Sequence, residues 1–339
     1  MRVAYQELLG TLERVLLKTG FEERRAALCA KLFTDTTCDG VYSHGLNRFP
    51  RFLRMIENGS VDIDAEPELV TAFGSLERWN GNRGVGNLNA ATCMERAISL
   101  ARENGIGCVA LANTNHWMRG GSYGWQAADA GMIGICWTNT LPNLPPWGAS
   151  ESRLGNNPLV VAVPRAKGHV VLDMAMSQFS FGALESYRKR GELLPVDGGF
   201  DAQGNLTRDA AAIEEARRVL PIGYWKGSGL SLVLDMIAAM LSGGLATHQI
   251  PVDPELETAI SQTFIAINLP ALDRDGFADG LADQIIANLQ EPTADGGHVR
   301  YPGEKTLQTR KENMEKGIPV DDAVWDEVLL LAQILKETT

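Results

Sequence analysis

The chain has 339 residues, of which 45% are hydrophobic and 22% charged, enough for a buried core and two or three domains at about 100–200 residues each. Its net charge of -11 argues against a nucleic-acid-binding protein, which needs a surface rich in Lys and Arg. The five cysteines are an odd number without a Cys-x-x-Cys pair. A disulfide framework is therefore not expected, and a reducing cytoplasm is the simplest setting.

The N-terminal segment has the apolar spacing of an amphipathic helix, with Leu8, Leu12 and Leu16 on one face. It lacks the uninterrupted apolar run and the cleavage site of a signal peptide. The longest apolar stretch, Leu230 to Leu241, contains Asp235 and is too short to span a bilayer. No membrane role is predicted.

The rest of the chain alternates short apolar runs with helical patterns, and the first fifty or so residues are predicted to be helical. A helix over 88–103 is predicted to stop at Asn104-Gly105. Strands are predicted at 107–111, 132–137, 158–163, 170–174 and 264–269, and later helices at 229–242, 276–289, 305–316 and 321–336. Such short apolar runs indicate a sheet that is covered on both faces.

The first candidate site segment is 42–51, in which His44 is flanked by Ser43 and Gly45. Imidazole can exchange a proton near neutral pH, and the planar guanidinium of Arg48 suits a carboxylate. His44 and Arg48 share a face if this stretch is helical. The alternative is a structural histidine that binds a backbone carbonyl, and Arg51 is as well explained as a solvated helix charge.

The second candidate segment, 113–122, follows a predicted strand and holds His116 before the glycines of a turn into a helix. Loops at strand ends concentrate binding and catalytic residues, although a histidine bonded within the loop is the alternative. A third segment, 223–229, sets Lys226 among glycines at a predicted helix start, where free N–H groups favour an anion.

Several common enzyme motifs are missing from the sequence. No G-x-G-x-x-G follows a strand, and there is no Walker lysine motif, G-x-S-x-G or H-E-x-x-H, so Rossmann, phosphoryl-transfer, hydrolase and zinc-protease readings lack support. The run 201–205 lacks the full ligand series of a calcium loop and fits a turn better. No metal site is predicted.

Taken together, the segments 42–51, 115–125, 145–148 and 223–229 resemble the malate/L-lactate dehydrogenase family that lacks a Rossmann fold, and 194–201 extends the resemblance over nearly the whole chain. The resemblance implies an α/β fold with a mixed sheet and a helical N-terminal region. It also implies two parts of the chain. Residues 1–75 form the helical region, which packs with the C-terminal helices at 305–339, and residues 76–304 form the α/β domain that binds cofactor and substrate.

The same resemblance implies an NAD(P)H-dependent reductase of a small 2-oxo acid that works as a homodimer. His44 is then the proton donor, His116 a second acid/base candidate, and Ser43 and Arg48 bind substrate. The implied cofactor contacts are Thr140, His169, Val170, Val171, Leu172, Asp173, Met174, Ala175, Trp225, Lys226, Gly303, Glu304 and Lys305.

The resemblance leaves open the identity of the substrate and the form of the cofactor. A diketo sugar acid is favoured, with malate, L-lactate and ureidoglycolate as alternatives, and a non-enzymatic cofactor-binding protein is a further reading. NADH is the preferred cofactor, but NADPH is possible because Arg165, Lys167 and His169 could face a 2′-phosphate.

Overall fold

A computed structural model describes residues 1–273, 275–292 and 296–334. Its strands are β1 (Arg2–Val3), β2 (Glu68–Phe73), β3 (Leu76–Asn80), β4 (Ile106–Thr114), β5 (Ile133–Thr138), β6 (Leu159–Val163), β7 (Val170–Met174), β8 (Gly199–Phe200), β9 (Leu206–Thr207), β10 (Ile260–Ile267) and β11 (Ile318–Pro319).

The α-helices lie between single strands or groups of strands along the chain. They are α1 (Tyr5–Lys18), α2 (Glu23–Cys38), α3 (Phe49–Glu57), α4 (Gly86–Asn104), α5 (Gly121–Asp129), α6 (Phe181–Arg190), α7 (Ala210–Ala216), α8 (Trp225–Ser242), α9 (Leu269–Leu272), α10 (Phe277–Leu289), α11 (Glu304–Lys316) and α12 (Asp322–Ile334). The predicted helix at 321–336 ends within the described part of the chain at Ile334, and residues 335 and 336 lie outside it.

The main sheet has the strand order β2-β3-β4-β10-β5-β6-β7 within the described residues. Strands β3 and β4 pair in parallel, whereas the other neighbours are antiparallel. A doubly wound dinucleotide-binding sheet is mostly parallel, so this arrangement differs from it. The expected α/β fold with a mixed, non-Rossmann sheet is confirmed.

Helices α4 and α5 cover one face of the sheet. Residues Cys93, Met94 and Ala97 of α4 repeat at helical spacing and are fully buried against the strands. Contact between helix and sheet is close, because a Cβ on Gly107 of β4 would lie 2.1 Å from the carbonyl oxygen of Ala97. A glycine is therefore required at this position, and β4 is held firmly under α4.

A separate core of helices forms at the N-terminal end. Leu12 and Leu16 of α1 and Phe33 of α2 are fully buried together with Trp325 of α12, so the two ends of the chain share one apolar core. The hairpin of β2 and β3 spans residue 75. The domain boundary at residue 75 stays a prediction.

Three local features differ from the sequence predictions. The strand predicted at 264–269 is β10 at 260–267, and Leu269 belongs instead to α9. Helix α8 begins at Trp225, four residues earlier than the predicted start at 229. The strand pair β2 and β3 was not predicted, because every residue of β2 is exposed and the segment shows no apolar alternation. Among the described residues, none of the helices is long and apolar enough to cross a membrane.

Candidate active site

A cavity of about 1150 Å³ lies where the helical N-terminal region meets the sheet. Ten of the predicted site residues line it: Ser43, His44, Arg48, His116, Thr140, Val171, Leu172, Asp173, Ala175 and Gly303. Seven others lie outside its walls: His169, Val170, Met174, Trp225, Lys226, Glu304 and Lys305. The two histidine segments, which are distant in sequence, therefore meet at one site.

The segment that carries His44 consists of two short 3-10 turns, Tyr42–His44 and Leu46–Arg48. It is not a continuous helix, so the shared helix face expected for His44 and Arg48 is wrong. Gly45 interrupts it with a non-helical backbone, φ -100° and ψ -127°. A side chain does not fit at this position, since a Cβ would lie 2.3 Å from Oγ1 of Thr37. The side chains of His44 and Arg48, on either side of this interruption, both line the same cavity.

His116 lies between the end of β4 and the start of α5, in the strand-to-helix loop predicted for it. Its Nδ1 accepts a hydrogen bond from the backbone N–H of Met118 at 3.0 Å. Met118 has a φ of 63°, a left-handed conformation that is unusual for a residue with a side chain. A neutral His116 with this acceptor at Nδ1 carries its hydrogen on Nε2.

The imidazole rings of His44 and His116 stack with centroids 5.8 Å apart and an interplanar angle of 24°. Nδ1 of His44 is 2.9 Å from Oγ of Ser43. Burial, followed by the charges of Arg48 and Arg119, lowers the pKa of His44 to about 4. Burial also lowers the pKa of His116, with smaller contributions from Arg48 and from His44. Both rings are therefore neutral at pH 7 in the free protein.

The cavity is rich in arginine. Burial and the neighbouring Arg51 lower the pKa of Arg48 to about 10, so Arg48 is still a cation at neutral pH. Its Nη2 is 3.9 Å from Oε2 of Glu257, a loose ion pair. Arg51, which the sequence explained equally well as a solvated charge, lines the cavity and donates to the carbonyl oxygen of Pro254.

Sequence reasoning did not select three residues that shape this site. Arg119 lies in the same segment as His116 and lines the cavity with it, so its place in the motif was an available signal. Glu257 and Asp39 are buried carboxylates that bind cavity arginines. Local sequence carried no signal for these two, because their partners come from other parts of the chain.

The walls formed by β7 and the start of α11 fit a dinucleotide cofactor. Gly303 has a φ of 96°, and a Cβ there would lie 3.1 Å from the backbone nitrogen of Val171, so the backbone of α11 closely approaches β7. The neighbouring Glu304 has a buried Oε2 without a hydrogen-bond partner among the described residues. Glu304 itself does not line the cavity, so the close approach of Gly303 to Val171 is the observation that fits a cofactor at these walls.

Trp225 and Lys226 stand apart from these walls at the start of α8, where the indole of Trp225 is 67% exposed. Metal-binding clusters of three or more His, Cys, Asp or Glu residues are absent from the described residues. The carboxylate of Asp201 instead accepts backbone N–H groups of Gln203 and Asn205, as in an ordinary turn.

Comparison with known proteins links this site to one family. The profile of the family described as malate/L-lactate dehydrogenase matches residues 3–329. A 2,3-diketo-L-gulonate reductase from Escherichia coli O6:K15:H31 is 49% identical over 98% of this chain and 100% of its own length. Among solved structures, a sulfolactate dehydrogenase from Methanocaldococcus jannaschii has a TM-score of 0.91 at 28% identity, with 99% of this chain and 97% of that one covered.

A malate dehydrogenase from Pyrococcus horikoshii OT3 also has a similar structure, with a TM-score of 0.89 at 28% identity and with 99% of this chain and 96% of that one covered. The family profile and the curated relative each extend over nearly the entire chain. The chain therefore belongs to the malate/L-lactate dehydrogenase family.

Proposed function

We propose that the chain reduces 2,3-diketo-L-gulonate to 3-keto-L-gulonate with NADH, in the cytoplasm and as a homodimer. The observation that carries this proposal is the stacked pair of His44 and His116 beside Arg48 in one cavity. Reduction of a 2-oxo acid needs an acid close to a cation that binds the carboxylate. The choice of substrate follows the relative that is 49% identical and is named 2,3-diketo-L-gulonate reductase.

Arg48 binds the C1 carboxylate of the substrate. Its contact with Glu257 is long, at 3.9 Å, so guanidinium donors remain available for a carboxylate. Arg51 and Arg119 add positive charge to the same cavity. This local excess of cations supports the binding of an anion by a chain whose net charge is -11.

His44 gives the proton that completes the reduction. When bound, the nicotinamide supplies a hydride to the C2 keto carbon, and the carbonyl oxygen then needs a proton. Nδ1 of His44 faces Ser43, which leaves Nε2 free to protonate that oxygen. His116 presents an Nε2–H donor, because its Nδ1 is occupied by Met118. Solvent supplies this proton to His44 once the anionic substrate is bound.

Substrate binding favours the protonated form of His44. In the free protein, burial and the charges of Arg48 and Arg119 hold its pKa at about 4. A bound carboxylate offsets the charge of Arg48, and an opposite charge nearby stabilises an imidazolium. The acid is therefore formed where and when an anionic substrate is bound.

NADH is the cofactor that the surrounding charges favour. Asp283 of α10 binds both cations of the loop before β7: its Oδ1 is 2.6 Å from Nε of Arg165, and its Oδ2 is 2.5 Å from Nζ of Lys167. His169 is 3.0 Å from a carboxylate oxygen of Asp129. Cations that are already paired with carboxylates are poor partners for the 2′-phosphate of NADPH.

A homodimer is supported by an exposed apolar face on α8. Val233, Met236 and Met240 of this helix are 48%, 50% and 71% exposed. Apolar patches of this kind mark interaction sites on proteins. A cytoplasmic location is supported by the five cysteines, all of which lie within the described residues as free thiols.

The purified protein should oxidise NADH fastest with 2,3-diketo-L-gulonate, compared with oxaloacetate and pyruvate. Ureidoglycolate is tested in the opposite direction, as a substrate for the reduction of NAD. The measurement is kcat/KM from NADH absorbance. A higher kcat/KM for one of the smaller acids would reassign the substrate within the family. Binding of NADH without oxidation by any of these substrates would instead indicate a cofactor-binding protein.

Asp283→Asn should raise the ratio of kcat/KM for NADPH to kcat/KM for NADH about fivefold to tenfold, since it frees Arg165 and Lys167 for a phosphate. Asp279→Asn is the matched control. It removes a carboxylate of the same helix that accepts the backbone N–H of Ala166. Equal ratios in the two variants would show that Asp283 does not select the cofactor.

His44→Ala should lower kcat by about 10²–10⁴-fold, the contribution of a positioned general acid. His248→Ala is the control, because His248 is exposed in a 3-10 turn outside the cavity walls. The wild-type kcat/KM should fall as pH rises from 5 to 8, by up to about tenfold per pH unit, because free His44 with a pKa of about 4 must gain a proton.

This pH dependence should disappear in His44→Ala, and in a separate His116→Ala variant it should persist. If the pH dependence instead persists in His44→Ala and disappears in His116→Ala, then His116 is the proton donor. A wild-type kcat/KM that is constant over the same pH range would contradict both histidines as acids.

The mass measured by light scattering should be about twice the chain mass of 36.8 kDa. Met240→Asp should shift the protein toward the monomer, since burying a charge in an apolar interface is unfavourable. Leu272→Asp is a control of similar exposure, 78% against 71%, on α9. If both substitutions dissociate the dimer, or if neither does, the result contradicts the α8 face as the interface.

A further inference from the structure

Asp39 lies at the end of α2, five residues before His44, and its side chain is only 2% exposed. Its carboxylate binds two guanidinium groups. Oδ1 accepts from Nε of Arg310 at 2.6 Å, and Oδ2 accepts from Nη2 of the same residue at 2.8 Å. Nη1 of Arg119 also donates to Oδ2. One buried carboxylate therefore joins three segments of the chain.

Each of these segments carries a part of the candidate site. Asp39 leads into the turn of His44, and Arg119 follows His116 in its loop. Arg310 belongs to α11, whose first turn begins next to Gly303 and fits the cofactor. The carboxylate thus connects the histidine side of the cavity with the cofactor side.

Further contacts restrict the two arginines. Nε of Arg119 is 3.8 Å from Oδ2 of Asp173, and that oxygen accepts the backbone N–H of Gly121 at 2.9 Å. The guanidinium of Arg310 lies over the ring of Trp125, 4.6 Å from its centroid. These contacts, added to those with Asp39, restrict the positions that the two guanidinium groups can adopt.

A role in orienting the groups around it explains this cluster better than a role in stabilising the fold. The cost of removing buried charges from water offsets much of their attraction. A bidentate pair of arginine and carboxylate, however, fixes direction as well as distance. Hydride transfer depends on this kind of placement, since a small displacement of a bound reactant lowers the rate strongly.

We propose that Asp39 and Arg310 are positioning residues, which hold the first turn of α11, and with it the bound cofactor, against the pair of His44 and His116. This inference rests on the proposed function. Neither residue touches the reacting atoms, and both act through the placement of other groups.

The test compares Arg310→Gln with Arg96→Gln, because the fold contains a closely matched pair away from the cavity. Arg96 of α4 binds Glu77 of β3 through Nε at 3.0 Å and Nη2 at 2.6 Å. The two arginines are 38% and 37% exposed, and their carboxylate partners 2% and 3%. A loss of stability alone should therefore be similar in the two variants.

Arg310→Gln should raise the Kd for NADH, measured by fluorescence titration, and lower kcat, each about tenfold, while the KM for the 2-oxo acid at saturating NADH changes less than threefold. Arg96→Gln should leave all three values within twofold of the wild type. Thermal unfolding of both variants monitors the shared structural effect. Arg310→Lys should stay impaired, because lysine supplies the charge without the planar fork.

Equal Kd and kcat values in Arg310→Gln and Arg96→Gln would overturn the positioning role, and so would full activity of Arg310→Lys. In either case an active wild type leaves the proposed function in place. A wild-type protein that neither binds nor oxidises NADH contradicts the positioning role together with the function on which it rests.

Discussion

Strand β10 in the middle of the sheet is the constraint on which the site depends. It pairs with β4 on one edge and with β5 on the other. Buried backbone groups must be hydrogen-bonded, so this strand cannot leave its place without exposing two neighbouring edges. The loop of His116 follows β4, Thr140 follows β5, and Glu257 precedes β10. Three walls of the cavity are therefore placed by one strand.

The electrostatics of the cavity link the binding of substrate to the chemistry proposed for it. Arg48, Arg51 and Arg119 gather positive charge inside an acidic protein. The same charge, added to burial, keeps the pKa of His44 low. The neutral His44 of the free protein is therefore proposed to gain its proton only when an anionic substrate is bound. In the proposed reaction, the same arginines bind the anionic substrate and determine when His44 is protonated.

Much of the fold was predictable from local pattern, because an apolar period reports which face of an element is buried. Strands β5, β6 and β7 lie within a residue or two of their predicted bounds. The loop position of His116 was also predicted correctly. The exposed hairpin of β2 and β3 was missed, and so was the contact of Asp39 with Arg310. These features depend on partners distant in sequence or on exposed strands, which local periodicity does not detect.

The position of β10 near the C-terminal end of the chain has a consequence for biosynthesis. During translation, β4 and β5 leave the ribosome long before residues 260–267, and they have no central partner until those residues appear. Contacts of such high sequence separation are slow to form, and unpaired strand edges are prone to aggregation. The nascent protein therefore carries open edges on β4 and β5 until residues 260–267 have been synthesised.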